Sequence, residues 1–169
     1  MAVVTPVEEA DAEPFIKRFG AGQLHALTPI AEGIQNTNYR VGTDQGQFVL
    51  TLFEDRTEVA SLPFCLELTD HLATRGLPTA PPLRDGAGLT VEHLNDRPAA
   101  ILQWLDGAWK RQPSLATHPA AGTMRVRRHL ASRDYEGVWT SPVGRPARRG
   151  LFETCARRAR GRARALLER

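Results

Sequence analysis

The sequence predicts an α+β fold: an antiparallel sheet of about five strands with packed helices. Three observations lead there. Two alternating apolar–polar runs, one ending at Tyr39-Arg40-Val41 and one from Gln47 to Glu54, flank the turn Asp44-Gln45-Gly46, the pattern of a β-hairpin. A second pair, Leu89–Leu94 and Pro98–Trp104, flanks Asn95-Asp96-Arg97. Between them, Ser61–Gly76 carries apolar residues at helical spacing. Hairpins this short force antiparallel pairing, because parallel strands need a crossover of a dozen or more residues.

The elements follow in chain order. Thr5-Pro6-Val7-Glu8 has the form of a capping box with proline at the first helical position, so a helix is expected from about Thr5 to Arg18, with Ala10, Phe15 and Phe19 among its apolar contacts. Gly20-Ala21-Gly22 ends it; no third glycine follows, so these residues read as a helix stop. Leu24 to Ile30 is the first strand. In the run after the turn, period two sets Phe48, Leu50 and Leu52 on one face and Val49, Thr51 and Phe53 on the other. Ser61 is the expected N-cap of the next helix, Pro63 lies in its first turn, and Gly76 with Pro78 stops it. Phe64, Cys65, Leu68 and Leu72 form its expected buried stripe. Thr79-Ala80-Pro81-Pro82 is an extended connector.

Beyond Gly107 the pattern weakens. A helix should begin near Thr117 or Pro119, yet Ala121 meets Arg125 and Arg128 where apolar partners belong. Residues 1–124 carry 9 Lys and Arg against 15 Asp and Glu, net −6. Residues 125–169 carry 13 Arg against 4 acids, net +9, and only 8 of these 45 residues are Leu, Ile, Val or Phe. That share sits under the roughly 20% at which a charged segment struggles to order itself, so this part is expected to be poorly packed. Cys65 and Cys155 offer neither metal-type spacing nor a disulfide framework. No apolar run reaches the ~18 residues of a membrane helix, and no apolar signal segment opens the chain. A soluble cytoplasmic protein, not acting on a membrane, is the expectation.

The chemistry concentrates in Gly33-Ile34-Gln35-Asn36-Thr37-Asn38. Backbone N–H groups beside Gly33 can approach phosphate oxygens closely, and Asn36, Thr37 and Asn38 add neutral donors. This loop, together with Phe48-Val-Leu-Thr-Leu-Phe-Glu54, resembles the amino-terminal lobe of bacterial homoserine kinases of the aminoglycoside-phosphotransferase-like, protein-kinase-like family. The likeness extends over Val3–Val7, the helix from about Leu62 to Gly76, and Gly76-Leu77-Pro78, and more faintly over Ala99–Gly107 and His129–Asp134.

The resemblance implies an ATP-dependent kinase that phosphorylates the side-chain hydroxyl of homoserine on the route to threonine, with Mg²⁺ as cofactor. It implies a nucleotide-binding lobe over residues 1–107 and the start of a second lobe over 108–169. Kinases place a small apolar residue against adenine and, two residues on, a lysine to the phosphates. Val49 and Thr51 stand at those positions, so Thr51 brings a hydroxyl where a cation is usual. Gln103, Trp104 and Leu105 resemble the hinge whose backbone meets the adenine edge. Glu67 stands where a helix glutamate would pair with the strand lysine. The family's His-x-Asp catalytic loop and magnesium-binding Asp have no counterpart in the sequence, so no catalytic or metal-binding residue is assigned and the chain alone is expected to be catalytically incomplete. Arg133-Asp134-Tyr135-Glu136-Gly137 is only superficially like a metal-binding D-F-G.

No P-loop, nucleophile elbow, zinc helix or C-x-x-C pair occurs. Two other readings remain at this level. The lobe could bind nucleotide or a partner without catalysis, or the Arg-rich end could bind nucleic acid. Arg mixed with Ala, Gly and Pro is also what a shifted reading frame in a GC-rich gene produces.

Overall fold

A computed structural model describes residues 4–31, 35–55, 58–107 and 117–140. The loop glycine Gly33 and the Arg-rich end from 141 to 169 lie outside these. The chain divides into two units, Met1–Gly137 and Val138–Arg169; the elements below belong to the first.

Five strands, β1 (Leu24–Pro29), β2 (Thr37–Thr43), β3 (Gly46–Leu52), β4 (Glu92–Leu94) and β5 (Arg97–Gln103), form one antiparallel sheet in the order β1-β2-β3-β5-β4, as the short connections required. Thr43 pairs with Gly46, so Asp44-Gln45 form the turn, and Gly46 takes φ +133°, where a Cβ is strained. The β4–β5 turn is Asn95-Asp96, with φ of 49° and 60°, the type I′ geometry that matches strand twist; Arg97 is already in β5. β1 carries a register irregularity between Leu24 and Ala26 and ends at Pro29.

The sheet has two different faces. On one, Tyr39, Val41, Leu50, Leu52 and Ile101 meet Ala12, Phe15 and Ile16 of helix α1 (Glu9–Arg18) and its C-cap Phe19, forming the main core. Leu50, Leu52, Val41, Ile101 and Ile16 are fully buried. On the other, helix α2 (Leu62–Thr74) sets Leu62 and Leu66 against Phe53 and Ala100, with Val91 and Leu102 alongside. Both the helix stop, with Gly20 and Gly22 at positive φ, and the two-faced β3 match the sequence reading.

Three local expectations are corrected. The first helix begins at Glu9, not Thr5, and no side chain caps it. Thr5 instead donates its hydroxyl to Glu54 (3.1 Å), and Val7 donates its N–H to the Tyr39 hydroxyl (3.0 Å). Residues 4–7 are thus held by long-range bonds before helix can start. Ser61 ends a 3₁₀ turn (Val59–Ser61) in helical conformation and bonds its hydroxyl to the Glu58 carbonyl, so it is no side-chain cap. In α2 the buried leucines are 62, 66 and 72, while Cys65 is exposed.

Helix α3 (Thr117–Ala131) does start where expected, and from His118 to Leu130 its side chains are exposed. The polypeptide near its end docks on α2. Tyr135 packs on Phe64 and edge-on against His71, with ring centroids 5.7 and 5.0 Å apart. Asp134 pairs with Arg75 and lies 3.3 Å from His71 Nε2. The hydrogen bond from Arg75 holds the Asp134 carboxyl below its ordinary value. A carboxyl depressed in the folded state contributes above its unfolded pKa, and the contribution is lost as pH falls through the folded value. Acidification from about pH 4 down through that lowered value should therefore loosen the Tyr135 ring, read as NMR shifts moving toward free-tyrosine values. Asp134→Asn should show those shifts at neutral pH; retained shifts in both cases would mean that aromatic packing alone holds the segment.

Candidate functional site

α2 covers only part of its sheet face and leaves the β1–β2–β3 part open. Directly opposed residues of an antiparallel pair share a face. Arg40 opposes Val49, Asn38 opposes Thr51, and Val49 and Thr51 oppose Leu102 and Ala100. Ala26 and Thr28 join them from β1, opposite Gly42 and Arg40. Ala26, Thr28, Arg40, Gly42 and Gln47 line a shallow depression of about 220 Å³. Its floor is low because Ala26 and Gly42 lie side by side: a Cβ on Gly42 would meet that of Ala26 at 3.6 Å, an ordinary contact.

At one end of this face stands Trp104, half-buried, with the Arg40 guanidinium 5.0 Å above its ring. Arg40 Nε also donates to Gln47 Oε1. Toward the start of β2, Thr51 donates its hydroxyl to Asn38 Oδ1 at 2.8 Å, and Asn38 donates its amide to the Asn36 carbonyl at 3.4 Å. Thr51, which is buried, and Asn38 are thereby joined on this side of the sheet, with half-buried Val49 beside them and Trp104 beyond.

Other expected site residues are placed differently. Thr37 begins β2 opposite Leu52, on the α1 side of the sheet. It is fully buried, donates to Glu54 Oε1 (2.6 Å), and accepts N–H bonds from Val4 (2.9 Å) and Thr5 (3.3 Å). This hydroxyl belongs to a structural cluster, not to the loop's donor set. Asn36 is half-buried and its carbonyl is occupied by Asn38. Gln103 spends its N–H on the Pro81 carbonyl (2.9 Å), so of the three hinge residues only Trp104 and Leu105 lie beyond the strand pairing. Glu67 is exposed and bears on Tyr135, whose hydroxyl is pushed up by burial first and by the Glu67 charge next. Among the described residues no ion pair joins Glu67 to β3, and no three His, Cys, Asp or Glu converge as a metal site.

Residues 26–169 match the phosphotransferase enzyme family. The chain belongs to that family. It is 40% identical over 159 residues to a homoserine kinase of Methylocella silvestris, covering 94% of this chain and 50% of that protein. A homoserine kinase of Bradyrhizobium sp. matches at 40%, covering 94% and 49%, and one of Rhodospirillum rubrum at 38%, covering 94% and 50%. The chain thus spans about half the length of the curated relatives it matches. An aminoglycoside phosphotransferase from Alicyclobacillus acidocaldarius shares the fold, with a TM-score of 0.50 at 15% identity over 96% of this chain and 48% of that one. The phosphotransferase fold accounts for the sheet, its five antiparallel strands and its helices. Among the described residues no helix is long and apolar enough to cross a membrane.

Proposed function

We propose that this chain supplies the nucleotide-binding lobe of a homoserine kinase, which transfers phosphoryl from ATP to the side-chain hydroxyl of L-homoserine in the cytoplasm. The observation that carries it is the 40% identity to homoserine kinases over 94% of the chain. The open sheet face supports it, since it ends at Trp104 and carries a depression of about 220 Å³ lined by Ala26, Thr28, Arg40, Gly42 and Gln47, of which Arg40 lies across from Val49. In this reading the lobe is residues 1–107, and 108–169 begin the second lobe. Adenine lies over Val49 with its edge at the backbone of Trp104 and Leu105, and the phosphates extend toward Asn38, Thr51 and the Gly33 loop. Phosphoryl transfer also needs a group to orient the nucleophile and acids to hold Mg²⁺. Because the described residues hold no such acid cluster, no catalytic step is assigned to them.

Calorimetric titration with ATP, beside an ADP-release assay with homoserine, tests the proposal. The expected result is ATP binding without turnover by the 169-residue chain. Gly42→Val should weaken ATP binding at least ~10-fold, about 1.4 kcal/mol, because its methyls fill the depression while its Cβ meets Ala26 at an ordinary distance. Wild-type affinity in that variant would remove the base from this face. An absence of ATP binding by the unaltered chain would overturn the proposal.

A further inference from the structure

The open face has a gap in charge. Kinase-type sites meet the phosphates with a cation from the strand corresponding to β3, and Thr51 occupies that position here. Strand pairing identifies the residues that share this side of the sheet: Ala26, Thr28, Asn38, Arg40, Gly42, Gln47, Val49 and the buried Thr51, with Ala100 and Leu102 continuing it beneath α2. Arg40 is the one charged side chain in that set. Of the other described arginines that precede α3, Arg18, Arg75, Arg84 and Arg97, each pairs with a carboxylate. Arg40 pairs with none among the described residues; its Nε rests on the neutral Gln47 amide, and its plane lies over Trp104. Among the described residues no carboxylate takes the terminal nitrogens of its fork, whose geometry suits a bidentate bond to an anion.

We propose that Arg40 is the phosphate-binding cation of this lobe, stacked on Trp104 in the free protein and turned to the nucleotide's phosphates when ligand binds. The assignment rests on the nucleotide reading above. Arg40 is cross-strand to Val49 and two residues from Asn38, which opposes Thr51. Two strand residues span roughly 7 Å, a distance the flexible arginine stem can sweep without moving the sheet. A base arriving against Trp104 competes with the guanidinium for the ring. The phosphates it brings offer charge-assisted hydrogen bonds, stronger than stacking at a half-exposed ring. Displacement and capture are thus one exchange of partners for one side chain.

The test compares ATP with adenosine, which presents the same base and ribose without charge, on the unaltered chain and on Arg40→Ala. Removing the guanidinium should weaken ATP binding about 10- to 100-fold and flatten its salt dependence. Adenosine affinity should stay level or rise, because the ring of Trp104 is freed. Equal ATP affinities in the two proteins would overturn the assignment while leaving the nucleotide site standing. An equal loss of ATP and adenosine would also overturn it, since Arg40 would then only shape the surface. Failure of the unaltered chain to bind either ligand would instead defeat the nucleotide reading and this assignment with it.

Discussion

Leu50→Ala is expected to lower the thermal unfolding midpoint by about 4 °C or more. Leu50 is fully buried in β3 between Tyr39 of β2 and Ile101 of β5. Strand pairing holds the backbone on both sides, so the site cannot collapse to fill the void. Leu→Ala substitutions in such places cost about 2–5 kcal/mol, and each kcal/mol moves the midpoint by roughly 2–8 °C across domains of this size range. Differential scanning calorimetry measures the shift. A change under about 3 °C would mean that the packing beneath α1 is looser than the burial shows.

Thr37→Val is expected to destabilise the protein by about 2–3 kcal/mol although it preserves shape. The lost hydroxyl is the 2.6 Å donor to Glu54, whose side chain is only 7% exposed. Its remaining contacts are the Thr5 hydroxyl at 3.1 Å and Arg97 Nε at 3.5 Å. Leaving a buried charged acceptor short of a donor costs more than the hydrogen bond itself contributed. The Val4 and Thr5 N–H groups lose their acceptor together, so protease should cut before Glu9 more readily in the variant. Urea unfolding reads the stability change, and Thr37→Ser should recover most of it. A variant as stable as the unaltered protein would show that Thr5 and Arg97 suffice for Glu54.

These two residues also show what the sequence could disclose. Leu50 was legible from alternation in β3, and the antiparallel pairing of each hairpin from its short connection. The pairing of Arg40 with Val49 was legible too: once Asp44-Gln45 is the turn, Thr43 faces Gly46 and counting back reaches that pair. Reading the turn as three residues hid it. The same counting separates Thr37 from Asn38, because neighbours in a strand face opposite ways; grouped as loop donors, they looked equivalent. The Glu54 cluster left no such trace. Its threonines lie 17 and 49 residues away in sequence, and only tertiary contact explains why Thr5 binds Glu54 and caps no helix. In α2, apolar residues at 62, 64, 66, 68 and 72 allow two overlapping stripes, and the position of the sheet selects between them.

The rims of the sheet bear on how these molecules behave beside one another. An uncovered strand edge offers unpaired N–H and C=O groups to any neighbouring chain. At one rim, the irregularity between Leu24 and Ala26 interrupts the straight run of β1, and Pro29 has no N–H to offer at its end. At the other, β4 is only three residues long, and past it the connector closes β5: Leu83 donates to the Ile101 carbonyl at 2.7 Å and Gln103 to that of Pro81 at 2.9 Å. A chain crowded against its copies while folding thus presents, among the described strands, little regular edge for strand-to-strand joining.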